Sequence, residues 1–221
     1  RSIMVGNNSA SVVADAWVKG IRSPEIEILY EAVKKGSMNA GPIPAVGRDG
    51  AEYYNKLGYV PYDVKIHENA ARSLEYAYDD FAIYQLAKGL NKSEADQDFY
   101  KNRAYNYEKL FDKSTGLMRG KNEDGSFQSP FNPFKWGDAF TEGNSWHYSW
   151  SVFQDFEGLA NLLGGRKAME IKLDSVFMLP PIFDDSYYGF PIHEIREMQI
   201  VNMGQYAHGN QPIQHMTYLY N

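Results

Sequence analysis

The chain of 221 residues contains no cysteine. Disulfide bonds, thiolate metal sites and cysteine nucleophiles are therefore excluded, while the redox compartment stays open. Long apolar runs are also missing, because no segment approaches the roughly 20 consecutive apolar residues that a bilayer-spanning helix needs. No signal peptide is recognisable at the start, and the first residue is Arg1 rather than an initiator methionine. We therefore expect a processed product or a piece of a longer protein.

An excess of positive charge is missing as well. The 22 Lys and Arg residues are outnumbered by 28 Asp and Glu residues, which gives a formal net charge of -6. Such a surface does not attract nucleic acid or an anionic membrane. Aromatic residues, in contrast, make up 15% of the chain. Because aromatic side chains mostly fill cores and only some stack on sugar rings, we predict a core position for most of them and a ligand contact for a few.

Apolar residues recur at helical spacing along most of the chain. The predicted helices cover residues 9–20, 23–36, 71–90, 93–111, 144–153, 155–165 and 169–179, with a further helix at the chain end. The Pro- and Gly-rich segment 41–50 is predicted to be a loop, and Asp124–Gly125 a tight turn. Short connections between successive amphipathic helices favour antiparallel neighbours. The predicted fold is therefore all-α and forms part of an α/α toroid.

Glu142 is the first candidate for chemistry. It lies on a Gly- and Asn-containing bend before a predicted helix start, close in sequence to Trp136, Trp146 and Trp150. Apolar neighbours disfavour the charged form of a carboxyl group, and a general acid must carry a proton, whereas a helix N-terminus favours the anion. Glu142 is therefore either a proton donor or a capping glutamate at an ordinary helix entry.

Adjacent carboxylates occur at Asp79 and Asp80 on a predicted helix, off its apolar stripe. Neighbouring helical residues point about 100° apart, so this pair does not share one proton. We predict ion pairing or capping for both. None of the five histidines forms the HExxH metal motif.

Polar residues also gather in the irregular C-terminal third of the chain. His193-Glu194 and the segment His208-Gly209-Asn210-Gln211 lie where loops can converge on a cleft. Amide and backbone carbonyl oxygens are ligands that suit a hard cation such as calcium. This part of the chain is therefore a candidate for metal or ligand binding.

Six segments together resemble glycoside hydrolase family 92. In chain order they are MVGNNSASVVADAWVKGI, SLEYAYDDFAIYQLAKGL, FDKSTGLMR, FTEGNSWHYSW, DFEGLANLLGG and MGQYAHGNQPIQHMTYLYN. The resemblance covers nearly the whole chain and implies a calcium-dependent, inverting exo-α-mannosidase. It implies a β-sandwich followed by an (α/α)6 barrel in the complete family enzyme. Residues 1–221 are then expected to form a partial barrel domain, truncated at both ends, with the N-terminal β-sandwich absent.

The resemblance also implies roles for individual residues around the sugar. Glu142 matches the family's general acid, which protonates the departing glycosidic oxygen. His193 and Glu194 resemble the pair that lines the site for the leaving sugar in α-1,2-cleaving members. Trp136 is predicted as a further substrate contact. The implied substrate is a mannose-containing oligosaccharide, such as an N-glycan.

The metal site and the catalytic base are implied in the same way. Asn210 and Gln211 fall in the motif that approaches calcium, and many members carry Glu at the position of Gln211. The family's base is one of two aspartates downstream of HMTYLYN, beyond Asn221. We therefore expect the isolated chain to be inactive or nearly so, with the remainder of the same polypeptide as its partner. The implied location is periplasmic, cell-surface or secreted, in a bacterium.

Two other interpretations remain open at this stage. The expected absence of the base and of the sandwich is also compatible with a non-catalytic carbohydrate-binding or scaffold module that kept the barrel surface. A different glycosidase or lyase with an α/α toroid is the third interpretation.

Overall fold

The computed structural model describes residues 5–41 and 47–221. Regular structure in these ranges is helical apart from one short two-stranded ribbon, which confirms the predicted all-α class. The α-helices are α1 Ser9–Val18, α2 Ile26–Met38, α3 Ala51–Leu57, α4 Asn69–Gly89, α5 Glu94–Ala104, α6 Ser145–Tyr148, α7 Phe156–Leu163, α8 Arg166–Met178 and α9 His193–Val201. Three 3-10 helices cover Tyr62–Val64, Asn106–Leu110 and Gln211–Tyr220. No helix in the described ranges is long and apolar enough to cross a membrane.

The ribbon pairs β1, Phe111–Asp112, with β2, Leu117–Met118, in antiparallel register. Asp112 closes the turn between them, because its carboxylate accepts hydrogen bonds from the backbone N–H and the hydroxyl of Ser114. Gly116 adopts φ +66°, a left-handed conformation that glycine reaches without a steric penalty. Residues 111–118 thus form a short antiparallel hairpin.

Helix ends with local sequence signals lie where they are predicted. The Ser93 side chain caps α5 by accepting the Asp96 N–H at 3.2 Å. Asp155 caps α7 through the Gly158 N–H at 2.9 Å, and Gly164 ends that helix with φ +100°. Each signal acts within four residues, so the sequence alone is sufficient to locate it.

Other predicted boundaries are wrong. Helix α2 begins at Ile26 and runs to Met38, past the predicted stop at Gly36. The helix predicted over 144–153 ends at Tyr148. Beyond this end, the Trp150 carbonyl accepts a hydrogen bond from the distant His215 ring at 2.8 Å. Helix α9 lies in the C-terminal third, which was expected to be irregular, and α3 lies in a segment for which no helix is predicted. Within the predicted loop 41–50, residues 42–46 lie outside the described residues.

The chain divides into two compact units. The first comprises Arg1–Pro61 and Arg72–Lys109, and the second comprises Tyr62–Ala71 and Leu110–Asn221. Helices α1, α2, α4 and α5 meet in the first unit around the buried residues Ala10, Ala14, Tyr30, Val33, Ala82, Ile83, Leu86, Ala87 and Tyr100. All six predicted site residues belong to the second unit. A single partial barrel domain over residues 1–221 stays a prediction.

Two carboxylates are buried in the first unit. Asp80 contacts Arg48 Nη1 and Arg103 Nε, each at 2.8 Å, and both arginines are buried. Asp79 accepts the Asn7 N–H at 3.0 Å and the Ser11 hydroxyl at 3.3 Å. The predicted ion pairing is confirmed for Asp80, whereas Asp79 accepts hydrogen bonds from residues near the start of α1. Both side chains lie in the interior rather than outside the packed face.

Replacement of Arg48 by methionine is expected to lower the free energy of unfolding by about 3–5 kcal/mol. The substitution keeps the apolar volume but leaves the buried Asp80 carboxylate with one guanidinium partner instead of two. Urea denaturation followed by circular dichroism measures the change. The matched control is Lys19→Met in the exposed Lys19–Asp15 pair, for which a loss below about 1 kcal/mol is expected. Equal losses in the two variants would contradict the structural role of the Arg48–Asp80 pair.

Candidate active site

Glu142 lies on a strained turn. Its φ is +48°, in the left-handed region that costs a residue with a β-carbon roughly 1–2 kcal/mol. The side chain is exposed. The N-cap of α6 is Asn144, so the alternative of a capping glutamate is wrong. A residue held in such a conformation requires surroundings that fix its backbone, and strain of this kind concentrates at functional sites.

Side chains from two distant segments hold the Glu142 peptide groups. The Glu142 N–H donates to the Tyr188 hydroxyl at 2.9 Å. The Glu142 carbonyl accepts from Asn210 Nδ2 at 2.6 Å. Asn210 is only 2% exposed, so its amide makes this bond away from bulk water. The turn is therefore fixed by residues 46 and 68 positions away along the chain.

The residues on either side of Glu142 are held in the same way. The Thr141 carbonyl accepts a hydrogen bond from the Tyr148 hydroxyl at 2.9 Å. The Gly143 carbonyl accepts the Gly137 N–H at 3.0 Å. A β-carbon on Gly143 would lie 3.1 Å from His147 Nδ1, so a larger residue would require the ring to move by a few tenths of an ångström. Hydrogen bonds thus determine the path of the backbone on both sides of the candidate acid.

A buried polar network lies beneath this turn. Asn144 and His147 form a capping box, in which His147 Nδ1 accepts the Asn144 N–H and Asn144 Oδ1 accepts the His147 N–H. His147 Nε2 lies 2.6 Å from the Gln205 carbonyl and donates to it, because Nδ1 is already an acceptor. The Gln205 side chain accepts from Asn144 Nδ2 at 3.0 Å and donates to the carbonyls of Pro180 and Ile182. Burial lowers the pKa of His147 to about 4, so the imidazole is neutral.

The aromatic residues near Glu142 are part of the interior. Trp136 is 0% exposed, Trp150 is 1% exposed and Trp146 is 9% exposed. The expectation that these rings surround the Glu142 carboxyl is wrong, because that side chain is exposed while the rings are buried. Trp136 packs edge-on against His147 with ring centroids 4.7 Å apart. A sugar cannot stack on a ring without accessible area, so this geometry suits Trp136 to supporting the turn.

His193 and Glu194 occupy the first turn of α9. The His193 ring is 75% exposed and lies between two carboxylates. Its Nε2 is 2.9 Å from Glu194 Oε1, and its Nδ1 is 3.2 Å from Glu197 Oε1. Glu194 is only 6% exposed, whereas the Glu197 side chain is 45% exposed. The exposed imidazole is thereby oriented by a buried acid on one side and a partly exposed acid on the other.

A series of contacts connects this histidine with the Glu142 turn. A β-carbon on Gly209 would collide with the Glu197 carboxylate, which therefore lies directly against the backbone at Gly209. The next residue, Asn210, donates to the Glu142 carbonyl. The structure thus brings Glu142, the first turn of α9 and the segment 209–210 into one neighbourhood of the second unit.

The residues predicted for calcium have the right kind of donor atom. Asn210 Oδ1 is buried and has no hydrogen-bond partner among residues 5–41 and 47–221. Calcium binds six to eight oxygens, and a carbonyl oxygen with free lone pairs is a typical ligand. The neighbouring Gln211 is exposed at the first position of a 3-10 helix. In the described part of the chain, no three His, Cys, Asp or Glu side chains form a metal-binding group. The side chains of these two residues therefore offer the kind of oxygen that calcium binds.

Three contributors to this site were not identified from the sequence. Tyr188 carries no local signal, because its role depends on a bond to a residue 46 positions away. Gln205 is likewise defined by distant partners. Glu197 follows His193 by four residues, so correct recognition of α9 as a helix would have placed the two side chains together.

Comparison with known proteins identifies the family. The model of the glycosyl hydrolase family 92 catalytic domain matches residues 1–221. The chain therefore belongs to glycoside hydrolase family 92. The helical architecture described above corresponds to the helical (α/α) barrel portion of that family, without its N-terminal domain.

Solved structures with similar folds are mannosidases. A family GH92 inverting mannosidase from Bacteroides thetaiotaomicron is 48% identical, covers 100% of this chain and has a TM-score of 0.85. A family GH92 alpha-mannosidase from the same organism, solved in complex with mannoimidazole, is 35% identical over 99% of this chain, with a TM-score of 0.83. The present chain spans 30% and 28% of those two chains, respectively.

A curated relative comes from Arthroderma benhamiae. It is described as an uncharacterized secreted glycosidase, and it is 31% identical over 201 residues. The match covers 76% of the present chain and 26% of the relative. The chain thus spans between about a quarter and a third of the proteins it resembles.

The buried His147 is expected to make stability depend on pH. Its pKa is about 4 in the folded chain against 6.5 for an ordinary histidine, so the unfolded state binds more protons between these values. The stabilisation is complete above pH 6.5 and is lost as the pH falls towards about 4. A shift of this size corresponds to about 3 kcal/mol.

Urea unfolding at about pH 7 and about pH 4.5 tests this expectation. His147→Gln should unfold more easily at neutral pH and should lose less stability on acidification than the unmodified chain. The control is His67→Gln, which changes an exposed histidine and leaves the buried imidazole in place. An unchanged acid sensitivity in His147→Gln would contradict the assignment.

Proposed function

We propose that this chain is the acid-bearing part of an exo-acting α-mannosidase that removes terminal α-1,2-linked mannose with inversion. The family membership defines a glycoside hydrolase, and the similar structures are described as mannosidases. The single observation that carries the proposal is the strained Glu142 turn. A chain that holds one exposed carboxylic side chain on a left-handed residue, with partners from two distant segments, has a function for that side chain.

In the proposed reaction, Glu142 is the general acid. Its carboxyl proton passes to the glycosidic oxygen as the bond from that oxygen to the anomeric carbon breaks. A water molecule adds to the opposite face of the anomeric carbon and loses its proton to a carboxylate base. The products are mannose with inverted configuration and the shortened glycan.

The carboxylate base that activates the water is proposed to lie in another segment of the polypeptide. Inverting glycosidases keep acid and base roughly 6.5–9.5 Å apart, so that a water molecule fits between the base and the sugar. The family resemblance implies an aspartate beyond Asn221 for this role. The present chain alone is therefore expected to show little or no hydrolysis.

His193 and Glu194 are proposed to bind the leaving sugar. The exposed His193 ring offers polar atoms at the surface, and Glu194 restrains its orientation from the buried side. The contacts through Glu197 and Gly209 link this ring to Asn210, whose side chain also holds the acid. If His193 and Glu194 orient the leaving sugar, they select the hydroxyl through which it is linked, and this would give the preference for α-1,2 linkages.

Calcium is proposed as the cofactor, with Asn210 and Gln211 as contributors to its site. The buried and unpaired Asn210 Oδ1 supports this assignment, and further ligands must come from outside these two side chains. Bound calcium would supply charge that orients the mannose hydroxyls and favours distortion of the ring. Asn210 itself holds the Glu142 carbonyl, so it connects the proposed metal site with the acid.

The proposed setting is outside the cytoplasm, as a periplasmic, cell-surface or secreted enzyme. The fungal relative is described as secreted, and the similar mannosidases come from a bacterium. The substrates in such a setting are mannose-containing glycans, including N-glycans.

Glu142→Gln in the complete polypeptide is expected to lower turnover of α-1,2-mannobiose by roughly 10²–10⁴-fold. Glutamine has nearly the same shape and cannot donate the proton that a poor leaving group needs. An aryl mannoside with a good leaving group should lose far less, because its departure requires little protonation. Steady-state kinetics with both substrates measure the difference.

The matched control for this variant is Glu123→Gln, which neutralises an exposed carboxylate of the same unit. It should retain the activity of the unmodified enzyme on both substrates. Equal losses of Glu142→Gln on the two substrates would remove Glu142 from the acid role.

Removal of calcium is expected to abolish hydrolysis, and added calcium should restore it. The complete enzyme is treated with EDTA, dialysed and assayed across a calcium titration. Gln211→Ala should raise the calcium concentration needed for half-maximal activity, because one oxygen ligand is lost. Calorimetric titration with calcium provides a readout that does not depend on catalysis. Full activity after chelation, with no calcium binding detected, would exclude the metal.

A further inference from the structure

Tyr188 has a hydroxyl group whose donor capacity is unused. Its oxygen accepts the Glu142 N–H at 2.9 Å. The hydroxyl proton has no acceptor in the part of the chain that the structure describes. The ring is half-buried, so its position is fixed by packing while the hydroxyl reaches the candidate site. A hydroxyl that is bonded to the Glu142 turn and still has a proton to donate is suited to bind a sugar, because sugars are rich in acceptor oxygens.

The segment that carries Tyr188 is anchored beside the Glu142 turn. The Trp136 N–H donates to the Asp184 carbonyl at 2.9 Å, and the Asp184 N–H donates to the Phe134 carbonyl at 3.0 Å. The Tyr188 N–H donates a hydrogen bond to the Asp185 carbonyl at 3.0 Å, which closes a turn. The Tyr188 hydroxyl is therefore held from its own backbone as well as by Glu142.

The hydroxyl remains a donor at any working pH of such an enzyme. Burial raises the pKa of Tyr188 to about 12, and the nearby negative charges of Glu68 and Glu142 act in the same direction. Because the oxygen already accepts the Glu142 N–H, the O–H bond points away from that peptide group. The hydroxyl proton is therefore available to an acceptor other than that peptide group.

We propose that Tyr188 is a substrate-binding residue that donates a hydrogen bond to a hydroxyl of the terminal mannose beside Glu142. This inference rests on the proposed function. The Glu142 carboxyl must reach the glycosidic oxygen, and two methylene groups separate that carboxyl from the residue's backbone. A group bonded to the Glu142 N–H therefore lies nearer to a neighbouring sugar hydroxyl than to the scissile bond. The same tyrosine thus connects the substrate with the turn that carries the acid.

Tyr188→Phe in the complete enzyme tests this inference, because it removes one oxygen and keeps the ring. The expected result is a loss of about tenfold in kcat/KM, the size of one neutral hydrogen bond. The loss should appear with mannobiose and with the activated aryl mannoside alike, because both carry the same mannose. The control is Tyr218→Phe, which alters a 73% exposed tyrosine of the same unit and should have no effect.

Deoxy analogues of the aryl mannoside provide the second measurement. For the unmodified enzyme, kcat/KM should be about tenfold lower with the analogue that lacks the contacted hydroxyl than with the parent mannoside. With that analogue, Tyr188→Phe should have the same kcat/KM as the unmodified enzyme. A loss confined to mannobiose would show that Tyr188 only holds the Glu142 turn, and would overturn the inference. Unchanged kinetics, or undiminished sensitivity to every deoxy analogue, would overturn it as well.

The outcome is separable from that of the proposed function. A normal loss in Glu142→Gln combined with an inert Tyr188→Phe would reject the tyrosine contact alone. Equal losses of Glu142→Gln on both substrates would reject the acid role whatever Tyr188→Phe does. Urea midpoints of both variants are compared with the unmodified enzyme, so that a folding defect is recognised.

Discussion

Two hydrogen bonds determine the candidate site, one to the N–H and one to the carbonyl of Glu142. The residue occupies a left-handed conformation that an isolated glutamate avoids, and Tyr188 and Asn210 offset that penalty. Each partner comes from a different part of the C-terminal segment. The turn therefore forms only when those parts have packed. The acid, the proposed sugar contact and the proposed metal ligand consequently share one folding event.

The residues that hold the Glu142 turn differ from the residues proposed to act on a ligand in how their hydrogen bonds are satisfied. The neutral His147, the Asn144 amide and Gln205 satisfy one another in the interior, where an unpaired polar group would be costly. The groups with unused capacity lie at the margin of that network. They include the Glu142 carboxyl, the Tyr188 hydroxyl proton and Asn210 Oδ1, and also the buried Thr141 Oγ1. A glycoside and its cofactor require such unsatisfied donors and acceptors.

Local sequence chemistry was sufficient for much of the fold and for little of the site's geometry. The caps at Ser93 and Asp155 act within four residues, so pattern reasoning located them. The predicted end of α6 is wrong, and the chain beyond it is held by His215, far along the sequence, which binds the Trp150 carbonyl. The family motifs indicated Glu142, His193, Glu194, Asn210 and Gln211 as candidates. Their contacts depend on packing that spacing does not encode, and so does the support from Tyr188.

Neither a displaced pKa nor backbone strain is by itself a guide to function here. Positive φ occurs at five further non-glycine residues of the described ranges, namely Lys65, Glu68, Asn91, Asp138 and Asn202. Burial raises the pKa of Glu75 to about 7 and that of Asp79 to about 6, although both lie on α4 in the first unit, where no candidate site residue lies. Perturbed pKa values often mark catalytic groups, but buried structural carboxylates show the same shift for the same reason. Glu142 differs from these residues in combining a strained backbone, fixed peptide groups and an exposed side chain. The proposed role in proton transfer to a bound glycoside would account for that combination.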